Sequence, residues 1–151
     1  MLSCSDDWHV QVWDWRRDEE PLFSCHSLDL TGSVNDIEWS PNISSVFSSV
    51  CNDGRIEIWD LAVSNINPIY TKKSEEREAA RTMVRFCEEY PVLVSGNTSG
   101  IVDVYRIMNL EGEVMTNDEQ KKRLEKAAYP AGRVGKEGFG EDDDEDNQQD
   151  S

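Results

Sequence analysis

The residues best suited to chemistry in this chain are two histidines, His9 and His26, and four cysteines. A nucleophilic site needs a serine or cysteine beside a histidine, and a zinc site needs closely spaced cysteines or histidines. Neither histidine belongs to such a pattern, and no two cysteines have CxxC spacing; the cysteines are Cys4, Cys25, Cys51 and Cys87. The sequence therefore predicts no catalytic residue, no metal site, and reduced thiols in an intracellular protein.

Two further patterns are typical of polar sites but have simpler explanations. The pair Asp6-Asp7 precedes a predicted strand and is better explained by a turn than by two-carboxylate catalysis. Four glycines near the C-terminus lack the strand and helix that a phosphate-binding loop requires; they are Gly132, Gly135, Gly138 and Gly140. We therefore expect no cofactor and no enzymatic activity.

Charge and hydropathy exclude several classes of partner. The formal net charge is −16, which disfavours direct binding to nucleic acid or to an anionic membrane. No apolar run approaches the length of a membrane-spanning helix, and the N-terminus has no positive segment followed by an apolar one. The sequence therefore predicts neither a transmembrane helix nor a signal peptide.

One segment occurs three times and organises the chain. The copies span residues 2–15, 48–61 and 94–107, so that both steps are 46 residues (48 − 2 and 94 − 48). The aligned sets are Ser3, Ser49 and Ser95; Val10, Ile56 and Val102; Val12, Ile58 and Val104; and Trp13, Trp59 and Tyr105. Similarity at a fixed period predicts a fold built from repeated structural units.

Each copy predicts a β-hairpin. In the second copy a turn at residues 52–54 is followed by strict alternation of polar and apolar residues over 55–59. Period two predicts a strand with one buried face and one wetter face, and Asp-Gly is a strong hairpin signal. The first copy has Asp7-Trp8 at its turn and the third has Ser99-Gly100, so only the middle turn is ideal.

Two more strands are predicted around each hairpin. Residues 33–39 and 82–86 precede the second and third copies with matching apolar positions. Residues 21–25 and 67–71 follow the first and second copies, and a proline near the start of each favours an edge strand. The repeat unit is therefore predicted to be a four-stranded sheet.

Two strands ending in Trp-Asp, repeated at this period, resemble the blades of a WD-repeat β-propeller. The chain resembles the C-terminal part of axonemal dynein intermediate chains over about residues 2 to 108, through the segments CSDDWHVQVWDW, DIEWSP and VFSSVCNDGRIEIWDL. The resemblance implies an all-β fold with about two and a half blades in residues 1–108. A linker with a short helix (109–131) and a disordered acidic tail (132–151) are expected to follow.

The family resemblance also implies a function. An intermediate chain is a non-catalytic scaffold of an axonemal dynein, located in the cytoplasmic cytoskeleton of the cilium or flagellum. Its partners are a dynein heavy chain, a second intermediate chain and light chains; its contact with the microtubule doublet is expected to be indirect, because both surfaces are acidic. The sequence is most similar to the intermediate chain of the two-headed inner-arm dynein, and an outer-arm type is the other option within the family. The alternative is a WD-repeat adaptor outside the motor, such as a ubiquitin-ligase substrate receptor or a transport scaffold.

The resemblance implies a structural network in each blade that joins a strand serine, a turn aspartate and the strand tryptophan. The matching residues are Ser49, Asp53 and Trp59 in the second copy and Ser3, Asp7 and Trp13 in the first. The histidine of the family pattern is absent, and Asp29-Leu30 lies at its place. The third copy keeps Ser95 but has Ser99 and Tyr105, so its network is expected to be incomplete.

Candidate partner contacts are Trp15, Arg16 and Arg17, because a tryptophan beside paired arginines is typical of interface anchors. The alternative is that Trp15 packs against its own blade, since Leu61 takes its position in the next copy.

A helix is predicted from Thr116, with Glu119 spaced as a capping box, to Ala128. It has few apolar residues, so it should be weak or docked on a partner. We also expect the chain to be the C-terminal fragment of a longer propeller, or a truncated gene model, because Met1 lies inside the first strand of a hairpin. Isolated, such a piece should expose sheet edges and aggregate or stay loosely folded.

Overall fold

The computed structural model describes residues 1–16, 20–73, 79–108 and 115–129. Within these ranges the chain forms ten strands in three antiparallel sheets, and one helix. This confirms the predicted all-β fold and the partial propeller. The predicted tail at residues 132–151, and residues 109–114 and 130–131 of the predicted linker, lie outside the described residues.

The strands follow the repeat. Sheet 1 contains β1 (Leu2–Cys4), β2 (Val10–Val12) and β3 (Phe23–Cys25), in that order. Sheet 2 contains β4 (Val34–Trp39), β5 (Val46–Cys51), β6 (Ile56–Asp60) and β7 (Tyr70–Lys72), in that order. Sheet 3 contains β8 (Arg81–Phe86), β9 (Val92–Asn97) and β10 (Val102–Arg106), with β9 in the middle. The strands predicted at residues 21–25 and 67–71 are thus the outer edges of sheets 1 and 2.

The three hairpins have the same register. Ser3 lies opposite Gln11, Ser49 opposite Glu57, and Ser95 opposite Asp103. The turns are also equivalent, because Gly54 and Gly100 have φ of 84° and 79° and Trp8, at the same place in the first copy, has φ of 70°. Glycine adopts this left-handed conformation without cost, whereas a tryptophan there is strained.

Each sheet has two distinct faces, which we name by their β2, β6 or β10 residues. The aliphatic face carries Val10 and Val12 in sheet 1, Ile56 and Ile58 in sheet 2, and Val102 and Val104 in sheet 3; the aromatic face carries Trp13, Trp59 and Tyr105 respectively. The aliphatic face of sheet 1 packs against the aromatic face of sheet 2, in one core cluster with Phe47. The aliphatic face of sheet 2 packs in the same way against the aromatic face of sheet 3.

Side chains of β4 also bind the edge of β8. The Asp36 carboxylate accepts a hydrogen bond from the backbone N–H of Val84 at 3.0 Å, and Glu38 accepts one from that of Phe86. The Asn35 amide donates to the carbonyl of Arg81 at 2.7 Å. Since β8 pairs on one side only, these polar side chains satisfy backbone groups that its own sheet leaves open.

The helix α1 (Asn117–Ala128) begins and ends where the sequence predicts. The hydroxyl of Thr116 accepts from the Glu119 N–H, and the Glu119 carboxylate accepts from the Thr116 N–H at 2.8 Å, which forms the capping box. Leu124 and Ala127 pack against the core between sheets 1 and 2, so α1 docks on the chain itself. No helix in the described ranges is long and apolar enough to cross a membrane.

Candidate functional site

A row of polar side chains is buried on the aromatic face of sheet 2. Arg55, Glu57 and Trp59 alternate along the β6 hairpin arm and are 1%, 2% and 1% exposed. The prediction of a wetter face is therefore wrong for this strand. Sheet 1 covers this face and sheet 3 covers the other, so both faces of β6 are withdrawn from water.

The buried row forms a continuous hydrogen-bond chain. The Trp59 indole Nε1 donates to the Ser49 hydroxyl at 3.1 Å, and that hydroxyl donates to Glu57 Oε2 at 3.2 Å. The other Glu57 oxygen accepts from Arg55 Nη1 at 3.4 Å. Each buried polar group in the row has a partner, as burial in a low-dielectric interior requires.

Arg55 joins this row to two carboxylates at the rim. Its Nε donates to Asp53 at 2.7 Å, and its terminal nitrogens donate to the carboxylate and the carbonyl of Asp29, each at 2.6 Å. Burial opposes the charge of Arg55, but its hydrogen bonds to Asp53 and Asp29 outweigh that effect and raise its pKa above the usual value. Hydrogen bonds from Lys73 and Arg55 likewise hold the pKa of Asp29 below its usual range.

The structure thus places the predicted network residues of sheet 2 as follows. Ser49 and Trp59 are hydrogen-bonded, whereas Asp53 lies in the turn and binds Arg55 and the Thr31 hydroxyl. The sequence reasoning did not single out Arg55 and Glu57. The sequence did contain a signal, because both residues lie an even number of positions from Trp59 and must therefore lie on the same face of the strand.

Sheet 1 has the same serine–tryptophan hydrogen bond in a different setting. Trp13 Nε1 donates to the Ser3 hydroxyl at 2.8 Å, while Asp7 accepts from the backbone N–H of His9 at 3.0 Å. His9 and Gln11 occupy the positions of Arg55 and Glu57. His9 stacks obliquely on the ring of His26, with 4.8 Å between centroids.

Sheet 3 satisfies its aromatic face with an arginine from another strand. Arg81, at the start of β8, is 3% exposed and donates to Asp103 at 2.6 Å and to the Tyr105 hydroxyl at 3.0 Å. The hydroxyl of Ser95 is buried and has no hydrogen-bond partner among the described residues. In this copy an arginine–aspartate–tyrosine group replaces the serine–tryptophan pair.

The predicted contact residues lie on the surface beside sheet 1. The Trp15 side chain is 80% exposed, so it does not pack against its own sheet. Arg16 donates to both oxygens of Asp14 at 3.0 and 3.1 Å, and these hydrogen bonds lower the pKa of Asp14 to about 2. Arg17 lies outside the described residues.

A cleft of about 230 Å³ opens beside Trp15. Its walls are mainly apolar and come from both sheets and the helix, among them Val12, Phe23, Leu61 and Leu124. An exposed tryptophan at the rim of an apolar cleft is the composition expected of a protein-binding surface.

The helix α1 forms one wall of this cleft and is anchored near its N-terminus, where the Gln120 side chain accepts from the Ser44 N–H at 2.8 Å, in its middle and at its C-terminus. Arg123 donates to Asp60 at 2.6 Å and to the Ser45 hydroxyl at 2.8 Å, so the aspartate of the Trp-Asp pair in sheet 2 is held by the helix. At the other end the Tyr129 hydroxyl donates to Asp14 of sheet 1 at 3.0 Å. The helix therefore fastens sheet 1 to sheet 2.

The described residues contain no group of three or more histidine, cysteine or acidic side chains arranged to hold a metal ion. All four cysteines have free thiols. Burial raises the pKa of Cys25 to about 12, and burial is also the main cause of the raised pKa of Cys51. Thiols held in the protonated form are poor nucleophiles and poor metal ligands.

No protein-family model matches the chain, but individual relatives do. It is 30% identical over 71% of its length to "Dynein intermediate chain 2, ciliary" of Heliocidaris crassispina and covers 15% of that protein. It is 33% identical over 73% of its length to human "Dynein axonemal intermediate chain 4" and covers 12% of it. The "Dynein, 78 kDa intermediate chain, flagellar outer arm" of Chlamydomonas reinhardtii is 29% identical over 58% of the chain, which covers 14% of that protein.

The chain spans about 12 to 15% of the length of these curated relatives. The matches to the first two relatives extend over 108 and 110 residues, close to the length of the three repeat sheets and their connections. Sequence similarity and the repeated sheets lead to the same assignment. Both support placing the chain in the dynein intermediate-chain family of WD-repeat proteins.

Proposed function

We propose that this chain supplies part of the propeller of an axonemal dynein intermediate chain, and that it acts there as a non-catalytic scaffold in the ciliary or flagellar axoneme. The observation that carries the proposal is the match to ciliary and axonemal dynein intermediate chains over about seventy per cent of the chain, together with a match to a flagellar outer-arm intermediate chain over 58% of it. Its partners would be a dynein heavy chain, a second intermediate chain and light chains, with the microtubule doublet contacted indirectly.

The buried rows fit a scaffold rather than a catalyst. Their charged groups form ion pairs with one another or with nearby carboxylates. Arg55 binds Asp29, Asp53 and Glu57, and Arg81 binds Asp103. Such internal pairing neutralises the buried charges and leaves recognition to exposed loops. A rigid body with loops at its ends is what a subunit that holds several partners requires.

Trp15 and the adjoining cleft are the part of this surface best suited to partner binding. The indole is 80% exposed, and the paired Arg16 side chain beside it remains 59% exposed. Large exposed aromatic side chains next to arginine dominate the energy of many interfaces. We assign Trp15 and Arg16 as contacts to another dynein subunit, and Arg17 as a third on sequence alone.

The first experiment locates the full-length protein. We expect it to co-purify with isolated axonemes and to be released by high salt together with a dynein heavy chain. Recovery only from the soluble cytosol, in complex with ubiquitin-ligase subunits, would contradict the proposal and support the adaptor alternative.

The second experiment tests the contact surface. Replacing Trp15 by Ala, or Arg16 and Arg17 together by Ala, should reduce recovery of the heavy chain with the tagged full-length protein. The matched control is Tyr90→Ala, since Tyr90 is also an exposed aromatic residue, 63% exposed, in the loop between β8 and β9. Equal recovery with all variants would remove these residues from the interface.

A further inference from the structure

The helix α1 is a basic element in an acidic chain. Residues 120–129 hold four basic side chains and one acidic one, a net charge of +3, whereas the whole chain has a net charge of −16. The side chains of Lys121, Lys122 and Lys126 are exposed. The acidic residue, Glu125, is paired with Lys121 at 3.9 Å. The helix therefore presents positive charge to solvent from its middle to its C-terminus.

The cleft beside α1 is large enough for an aromatic ring. Its volume is about 230 Å³, and Phe23, Leu61 and Leu124 are among its apolar lining residues. An apolar cavity of about 150 Å³ holds a molecule of benzene. Arg16, whose side chain is 59% exposed, adds a cation at the rim. A ligand that joins an aromatic ring to several carboxylates therefore matches this surface.

The segment that follows α1 in the sequence has this composition. Residues 130–151 contain eight acidic and two basic side chains, a net charge of −6. Phe139 is the aromatic residue of the segment, and every position from 141 to 146 is acidic. The ring and the carboxylates are thus only two residues apart.

The end of α1 brings this segment to the cleft. Tyr129 lines the cleft, and its hydroxyl donates to Asp14 at 3.0 Å. Phe139 follows Tyr129 by ten positions, which span at most about 33 Å. Pro130 cannot continue the helix, and Gly132 accepts the backbone angles of a tight turn. The chain is therefore long enough, and suited by composition, to return to the cleft that its own helix borders.

We propose that the segment after α1 folds back onto its own chain, with Phe139 in the cleft and residues 141–146 against Arg16 and the exposed lysines of α1. The acidic run ends seven residues after Phe139 and so extends at most about 23 Å from the ring. The twelve residues of α1 measure about 18 Å. The run is therefore long enough to pass all three lysines.

The contact can be weak and still be occupied. A segment on a short linker acts at an effective concentration in the millimolar range, so a dissociation constant of about a millimolar for the free segment is sufficient. The docked segment would cover Trp15 and Arg16, and its release would expose them to a partner. This regulatory consequence rests on the proposed function, whereas the docking itself does not.

Photo-crosslinking in the full-length protein tests the docking. Phe139→p-benzoylphenylalanine should give an intramolecular crosslink to a peptide that lines the cleft and contains Trp15 or Leu124, identified by mass spectrometry. The matched probe is Gln148→p-benzoylphenylalanine, which lies in the same segment beyond the acidic run. Its yield of the same crosslink should be lower.

Charge variants test the role of the acidic run. Replacing Lys121, Lys122 and Lys126 together by Gln should lower the crosslink yield from position 139 at least about threefold, as should an increase from about 0.05 M to about 0.5 M salt, because exposed ion pairs are screened. The matched control is Lys72→Gln with Lys73→Gln, two exposed lysines at the edge of sheet 2, which should leave the yield unchanged. Unchanged thermal unfolding verifies that the variants fold.

Four results would overturn the docking. They are equal cleft crosslinking from positions 139 and 148, a crosslink only to a second copy or to another protein, a yield that the lysine variant leaves unchanged, and no cleft crosslink at all. The last result is also expected if another part of the longer protein fills the cleft.

The regulatory consequence has its own test. Deleting residues 130–151 should increase recovery of the heavy chain with the tagged full-length protein, and Trp15→Ala should abolish that increase. Unchanged recovery beside a positive crosslink would contradict the control of partner binding. Absence of the protein from axonemes would contradict the proposed function, and the intramolecular crosslink would still support the docking.

Discussion

Sheets 1 and 2 contain the same serine–tryptophan hydrogen bond, yet only sheet 2 surrounds it with buried charge. In sheet 2 the neighbouring positions are Arg55 and Glu57, both covered by sheet 1; Arg55 also binds Asp29 from the loop that joins the two sheets. In sheet 1 they are His9 and Gln11, half-buried beside water. A repeat can therefore keep its geometry while its polar chemistry depends on what covers the sheet.

The largest effect expected is the loss of Arg55. Arg55→Met removes one partner of a buried network and leaves Glu57 without its counter-ion, so the free energy of unfolding should fall by about 3 kcal/mol. The equivalent change in sheet 1, His9→Met, should cost less than about 1 kcal/mol. Urea denaturation followed by tryptophan fluorescence measures both.

The double variant Arg55→Met, Glu57→Met sharpens this comparison, because it removes both charges. Its unfolding free energy should recover part of the loss seen for Arg55→Met alone. An equal or larger loss in the double variant would show that the network acts through packing and not through charge.

Loss of the contacts between α1 and sheet 2 should have the next largest effect on stability. Arg123→Ala leaves Asp60, which is 6% exposed, without its ion pair, and should lower the free energy of unfolding by about 1 to 2 kcal/mol. Lys122→Ala on the exposed side of the helix is the matched control and should change it by less than about 0.5 kcal/mol. Similar values for the two variants would show that the helix does not fasten the sheets.

The turns of sheets 1 and 2 differ at the residue with positive φ. Trp8 has φ of 70° where Gly54 has 84°, so Trp8→Gly should relieve strain and stabilise the hairpin by about 1 kcal/mol. Gly54→Ala should destabilise its hairpin by a similar amount. Thermal unfolding of both variants gives the two signs, and destabilisation by Trp8→Gly would mean that the indole packs more favourably than the backbone is strained.

The smallest effect concerns pH at the rim of the cleft. Hydrogen bonds from Arg16 lower the pKa of Asp14 from 3.8 to about 2, so the folded protein holds this proton less tightly than the unfolded chain. The stabilisation is therefore complete above pH about 4 and lost as pH falls through about 2. Arg16→Ala should return the pKa of Asp14 toward 3.8 in a carboxyl NMR titration; an unchanged value would assign the shift to the backbone N–H of residue 16 and the Tyr129 hydroxyl.

Local sequence patterns predicted the strands because their signals are short-range. The Asp-Gly turn, the alternation over residues 55–59 and the Thr116–Glu119 capping box each act within a few residues. The structure has a hairpin or helix at each of these places. The docking of α1 was not predicted, because Arg123 and Asp60 are 63 residues apart and no periodicity links them.

By itself the sequence determined the repeat and its register, since aligned serines and tryptophans recur at a constant step; the family was implied by resemblance. Only the tertiary structure decided which faces of the sheets are exposed to solvent. Alternation along a strand shows which face of the sheet a side chain lies on, but it does not show whether another sheet covers that face. Burial depends on both. Val12 and Val104 are aligned valines in equivalent strands, yet one is 4% exposed and the other 67%, because sheet 2 covers the first.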